Sequence, residues 1–95
     1  MVRHIVFFKL KDNNENVRQE VKKQLLWLKE SINILQNIEV GFNFSKEDRA
    51  YDIVLITDFN SKEDLTTYAT HKAHLKVIKY IKTVAIDTKV VDYEY

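Results

Sequence analysis

"VRHIVFFKL", residues 2–10, decides how the rest of the chain must be arranged. Read as a β-strand, its side chains fall into two sets: Val2, His4, Val6, Phe8 and Leu10 on one face, Arg3, Ile5, Phe7 and Lys9 on the other. Both sets are apolar in the middle, the pattern of a strand covered on two sides. "YDIVLITDF", residues 51–59, repeats it, with Ile53 to Ile56 apolar on both faces. "IEVGFNFS", residues 38–45, differs. There Ile38, Val40, Phe42 and Phe44 alternate with Glu39, Gly41 and Asn43, so only one face is buried and the strand belongs at a sheet edge. The chain closes on a fourth strand pattern, "VAIDTKVVDYEY", residues 84–95.

Helices fill the intervals. "DNNEN", residues 12–16, offers capping side chains ahead of Val17, Val21, Leu25, Leu28, Ile32 and Leu35, an apolar stripe at helical spacing over roughly twenty residues. Lys22, Lys23, Lys29 and Glu30 fall on its wet side. Ser61, three residues before Asp64, starts a second helix carrying Leu65, Tyr68 and Ala69 inward, and the spacing resumes through Leu75, Ile78 and Ile81 after a break expected near residues 71–73. The resulting β-α-β-β-α-β order, with right-handed crossovers, gives an α+β ferredoxin-like fold. Its four-stranded antiparallel sheet takes the order fourth, first, third, second, which makes central the two strands that are apolar on both faces.

Composition narrows the class. Ninety-five residues form a single domain, residues 1–95, with no proline and one glycine to mark a linker. With 15 basic and 14 acidic residues the net charge is +1, so the one-sided field that nucleic acid requires is missing and no nucleic-acid partner is expected. The first apolar stretch is interrupted by Arg3 and His4, too short for a signal core or a membrane span. The absence of cysteine fits a reducing, cytoplasmic setting.

Helices cover one face of such a sheet, which leaves Ile5, Phe7, Val54 and Ile56 to emerge on the other. Each is worth about 1.5–3 kcal/mol when buried. A twofold homodimer packing sheet on sheet is the expected cover.

Chemistry concentrates in "YATHKAH", residues 68–74, which holds two of the three histidines. An imidazole can take a proton from a carbon beside a carbonyl, and a phenol can donate to the enolate oxygen that forms. Tyr68 and His74 suit those roles. On an unbroken helix they would stand about 120° apart, so the break near Lys72 is needed to aim both into one cleft. His4 alternates with Val6 and Phe8 on an apolar strand face, and His71 reads most simply as a solvent-facing helix residue. A metal held by His71, His74 and His4 competes with the proton-transfer reading, but no fourth ligand is evident, so neither metal nor cofactor is expected.

"VRHIVFFKLK", "YATHKAH" and "VVDYEY" together resemble the stress-responsive dimeric α/β-barrel domain family, in their order and spacing along nearly the whole chain. The resemblance implies the ferredoxin-like fold and the dimeric α+β barrel. Most members have no assigned reaction; one is the plant polyketide cyclase that makes olivetolic acid by an intramolecular aldol condensation in the cleft between helices and sheet. By motif, its catalytic tyrosine and histidine fall on Tyr68 and His74, and its strand-one histidine on His4. Two positions depart: Asp52 stands where that cyclase has a histidine, and Lys72 where the family has proline. The expected site therefore comprises His74, Tyr68 and His4 as catalytic residues, with His71, Val6 and Phe8 around the substrate. The expected activity is that of a cofactor-independent cyclase, lyase or isomerase on a small keto or polyketide-like substrate. The alternative is a non-catalytic dimer that binds a small hydrophobic ligand.

Overall fold

A computed structural model describes all of residues 1–95. The elements are β1 (Val2–Leu10), α1 (Glu15–Ser31), β2 (Asn37–Phe42), β3 (Ile53–Phe59), α2 (Lys62–Thr70), α3 (Lys72–Val84) and β4 (Ala85–Glu94). The sheet runs β2-β3-β1-β4 with every pair antiparallel, so the two strands apolar on both faces are the central ones, as expected.

The helices pack on the face that carries Val2, Phe8 and Leu10 of β1 and Ile53, Leu55 and Phe59 of β3, and Val21, Leu25 and Leu28 of α1 complete the core. Asn14 caps α1 by accepting from the Val17 amide at 3.0 Å. The helix stops at Ser31, one turn earlier than its stripe suggests. Ile32 and Leu35 stay buried in the turn that follows, where the Leu35 amide donates to the Ile32 carbonyl at 3.2 Å and the Gln36 amide to the Asp58 carbonyl at 2.9 Å.

Three expectations change, at Phe44, at Leu75 and at Ala69, which is exposed on α2 instead of turned inward. Phe44 does not continue β2. The Asn43 side chain donates to the Tyr51 carbonyl at 2.7 Å and accepts from the Ser45 amide at 2.8 Å, and this local turn takes the chain off the sheet, leaving Phe44 98% exposed. Leu75 also faces outward, and Ala73, Val77 and Ile81 form the inner stripe of α3. Gly41 is a close approach: a Cβ there would lie 3.0 Å from Val54 Cγ1.

The second helical region breaks at His71, whose extended backbone (φ −64°, ψ 140°) separates α2 from α3. The His71 Nδ1 caps α3 by accepting from the Ala73 amide at 3.0 Å. The break is thus made without proline. Lys72 occupies the first helical position, where proline is well tolerated, and the His71 backbone already has the conformation required before one. Lys72→Pro is expected to raise unfolding free energy by about 0.4–1 kcal/mol through the unfolded chain, read as a higher urea midpoint at unchanged slope.

Away from the helices, Ile5, Phe7, Val54, Ile56 and Val91 share the opposite face of the sheet. Phe7 is 40% and Val91 55% exposed there. At one end of this face Arg3 grips Asp58 with two hydrogen bonds of 2.8 and 3.1 Å, and the guanidinium holds that carboxyl below its ordinary range. At the other end Tyr51 donates to Asp87.

Candidate functional site

A cavity of about 350 Å³ lies between α3 and the β1–β4 half of the sheet. His4, Val6 and Phe8 line it from β1, Tyr68 from the end of α2, His74 and Ile81 from α3, and Val90 from β4. A larger depression of about 700 Å³ on the outer side of α1 and α3 is lined by Lys22, Lys23, Trp27, Glu30 and Lys76 and holds neither a histidine nor a tyrosine.

The break at His71 does what an unbroken helix could not. Tyr68 and His74 meet with ring centroids 4.3 Å apart, and the His4 ring lies 6.3 Å from Tyr68. His74 is oriented from its own chain. Its Nδ1 sits 2.9 Å from the Ala69 carbonyl, which can only accept, so Nδ1 carries the proton and a neutral ring keeps Nε2 free as a base. Burial lowers its pKa from the ordinary 6.5, against the opposing effect of the Ala69 bond, so the ring is neutral at pH 7.

Tyr68 is 1% exposed, and its hydroxyl has no hydrogen-bond partner. Burial raises its pKa well above the usual phenol value, so it remains a donor at every physiological pH. An unpaired buried hydroxyl costs about 1–3 kcal/mol and calls for an explanation.

His4 brings a residue that the sequence reading gave no role. Asp92 of β4 stands directly across from it in the sheet and binds its Nδ1. A carboxylate accepts only, so His4 also carries its proton on Nδ1 and turns Nε2 away from Asp92. The alternation of Thr88, Val90 and Asp92 on one face was readable in the sequence, but the pairing of Asp92 with His4 was not.

The other expected positions divide. Val6 and Phe8 line the cavity, whereas His71 does not, its Nδ1 being taken by the α3 cap. Asp52 is outside it too, its two oxygens accepting from the Leu10 amide at 2.7 Å and from Asn13 at 3.0 Å, which fastens the β1–α1 turn. No three histidine, aspartate or glutamate side chains come together as a metal-holding group. No helix is long and apolar enough to cross a membrane.

The family model for the stress responsive A/B barrel domain matches residues 2–95. The chain belongs to that family. Among solved structures, this A/B barrel domain is similar to a dimeric protein of unknown function and ferredoxin-like fold from Bacteroides fragilis, at 31% identity over 99% of this chain and 95% of that one, with TM-score 0.84. Two plant proteins share the A/B barrel fold at lower identity. A protein from Arabidopsis thaliana has 23% identity, TM-score 0.89, and 100% and 95% of the two chains covered. A hydroxynitrile lyase from Passiflora edulis has 21% identity, TM-score 0.83, and 97% and 90% covered. No curated protein matches the sequence significantly.

Proposed function

We propose that this A/B barrel domain is a cofactor-independent proton-transfer enzyme, of the cyclase, lyase or isomerase kind, acting on a small keto or polyketide-like substrate in the cavity. The observation that carries the reading is the buried, unpartnered Tyr68 hydroxyl beside a neutral, pre-oriented His74. In the proposed step His74 Nε2 takes the proton from the carbon next to the carbonyl. The C–H electron pair moves onto the carbonyl oxygen, and the Tyr68 hydroxyl donates to the enolate. Return of the proton to another carbon isomerises the substrate; attack of the enolate on a second carbonyl closes a ring; loss of a leaving group gives a lyase. His4, fixed by Asp92, borders the same end of the cavity and positions the carbonyl. Val6 and Phe8 hold the apolar part.

The working unit is a homodimer formed through the uncovered sheet face. The apolar centre made by Ile5, Phe7, Ile56 and Val91, with polar groups at both ends, supports this, as does the dimeric state of the Bacteroides fragilis protein.

The test is deuterium exchange at the carbons flanking the carbonyl of a medium-chain ketone in D₂O, followed by NMR. Catalysed exchange is expected; its absence together with saturable binding would leave the second reading, capture of a small hydrophobic ligand, which the lining favours by being hydrophobic at 10 of 14 residues. The pH profile supplies a check. Protonation of His74 removes the base, and its pKa is held below 6.5, so exchange should persist below pH 6.5 and fall only on further acidification. The same group contributes stability that is present above the unfolded value of 6.5 and is lost as pH falls through the lower folded value. A half-activity point above pH 6.5 would remove His74 as the base.

A further inference from the structure

The two ends of the cavity differ in charge. His4, Tyr68 and His74 gather at one end, with Asp92 behind the His4 ring. At the other end Lys82 and Thr88 join the lining. Eight residues of α3 separate His74 from Lys82, about 12 Å along the helix, and the strand path from Asp92 to Thr88, opposite His4 to Phe8, covers about 13 Å. Hydrophobic side chains fill the interval, among them Val77, Ile78, Ile81 and Val90. Lys82 takes part in none of the chain's ion pairs and hydrogen bonds to no side chain, whereas Asp92 is engaged by His4. An apolar cavity with the His4–Asp92 pair at one end and a free ammonium at the other favours one direction for an amphiphile.

We propose that the substrate is an amphiphilic keto acid, its carboxylate held by Lys82 with Thr88 beside it and its carbonyl presented to Tyr68 and His74. This rests on the proton-transfer reading for which end holds the carbonyl. A carboxylate at the His4 end would meet no free ammonium and would lie near the Asp92 charge behind the His4 ring, which opposes the reversed pose. The lysine stem is flexible and its head solvated, so ligands with about 10 Å between the two groups can bridge the ends. A purely apolar ligand would use the lining and leave the ammonium idle.

The probe pair is 9-oxodecanoate and its methyl ester, titrated calorimetrically into the intact protein at low ionic strength, with deuterium exchange followed in the same samples. The acid is expected to bind about three- to fivefold more tightly than the ester, the range of a solvated ion pair, with the preference shrinking in high salt. Lys82→Gln should abolish the preference and Lys82→Glu invert it. Lys82 is solvent-exposed on α3, so both variants are expected to keep the wild-type circular dichroism. Equal affinities for acid and ester in the wild type, an acid preference that survives in Lys82→Gln, or failure of both probes to bind would each overturn the inference. Exchange without acid preference would overturn this inference and leave the proton-transfer reading standing. Acid preference without exchange would overturn the proton-transfer reading and leave Lys82 only as the carboxylate-binding end of a ligand site.

Discussion

His74→Ala is expected to lower catalysed enolisation of a ketone probe by about 10²- to 10⁴-fold, the usual worth of a positioned general base. The side chain is only partly buried and its one hydrogen bond goes to the Ala69 carbonyl, so the fold and assembly should be retained. Light scattering after size exclusion would verify that. Tyr68→Phe should cost about 10²- to 10³-fold in the same assay, as loss of one oxyanion donor does. Its effect on stability has the opposite sign. Because the hydroxyl has no partner in the free protein, deleting it should leave the melting temperature unchanged or raise it. A structural tyrosine would behave otherwise, losing stability along with activity. Full activity in His74→Ala would move the role of base to His4, whose Nε2 is left free by Asp92.

Ile56→Lys should convert the dimer to monomer at micromolar concentration. Ile56 stands beside Ile5 at the centre of the uncovered sheet face, and twofold symmetry brings every substitution there into the interface twice. Each subunit would forfeit about 1.5–3 kcal/mol of apolar burial and gain an ammonium that must be desolvated without a partner. Sedimentation velocity of wild type and variant reads the outcome, with Lys79→Gln on the exposed side of α3 as a control that should leave the assembly alone. A monomeric wild type, or an Ile56→Lys protein that stays dimeric, would dispose of the sheet-to-sheet arrangement.

Much of this architecture is written in local patterns. The doubly apolar runs around Ile5 and Val54 sufficed to place β1 and β3 at the centre of the sheet, because burial on two faces leaves a signature in every residue of a strand. The break in the second helical region was legible from the demand that Tyr68 and His74 share a cleft, and its position at His71 agrees. What escaped was set by particular hydrogen bonds, local at Asn43 and His71 and long-range at Asp92. Phe44 keeps the alternation of β2, yet Asn43 turns the chain away from the sheet by bonding to Tyr51, eight residues on. His71 looks like a surface residue until the helix break turns it into a cap. Asp92 gains its place only through the register of β4 on β1, and register between strands about ninety residues apart cannot be read from either strand alone.

That register carries a consequence for how the protein can vary. Along β4 the even-numbered Thr88, Val90 and Asp92 look toward the cavity side, and the odd-numbered Lys89, Val91 and Tyr93 look toward the uncovered face. The proposed chemistry and the proposed assembly therefore draw on alternate residues of one strand. Point substitutions can tune either property with the other held fixed. An insertion or deletion of a single residue would exchange the two sets at a stroke, facing Asp92 toward the uncovered face and bringing Val91, for an insertion, or Tyr93, for a deletion, opposite His4.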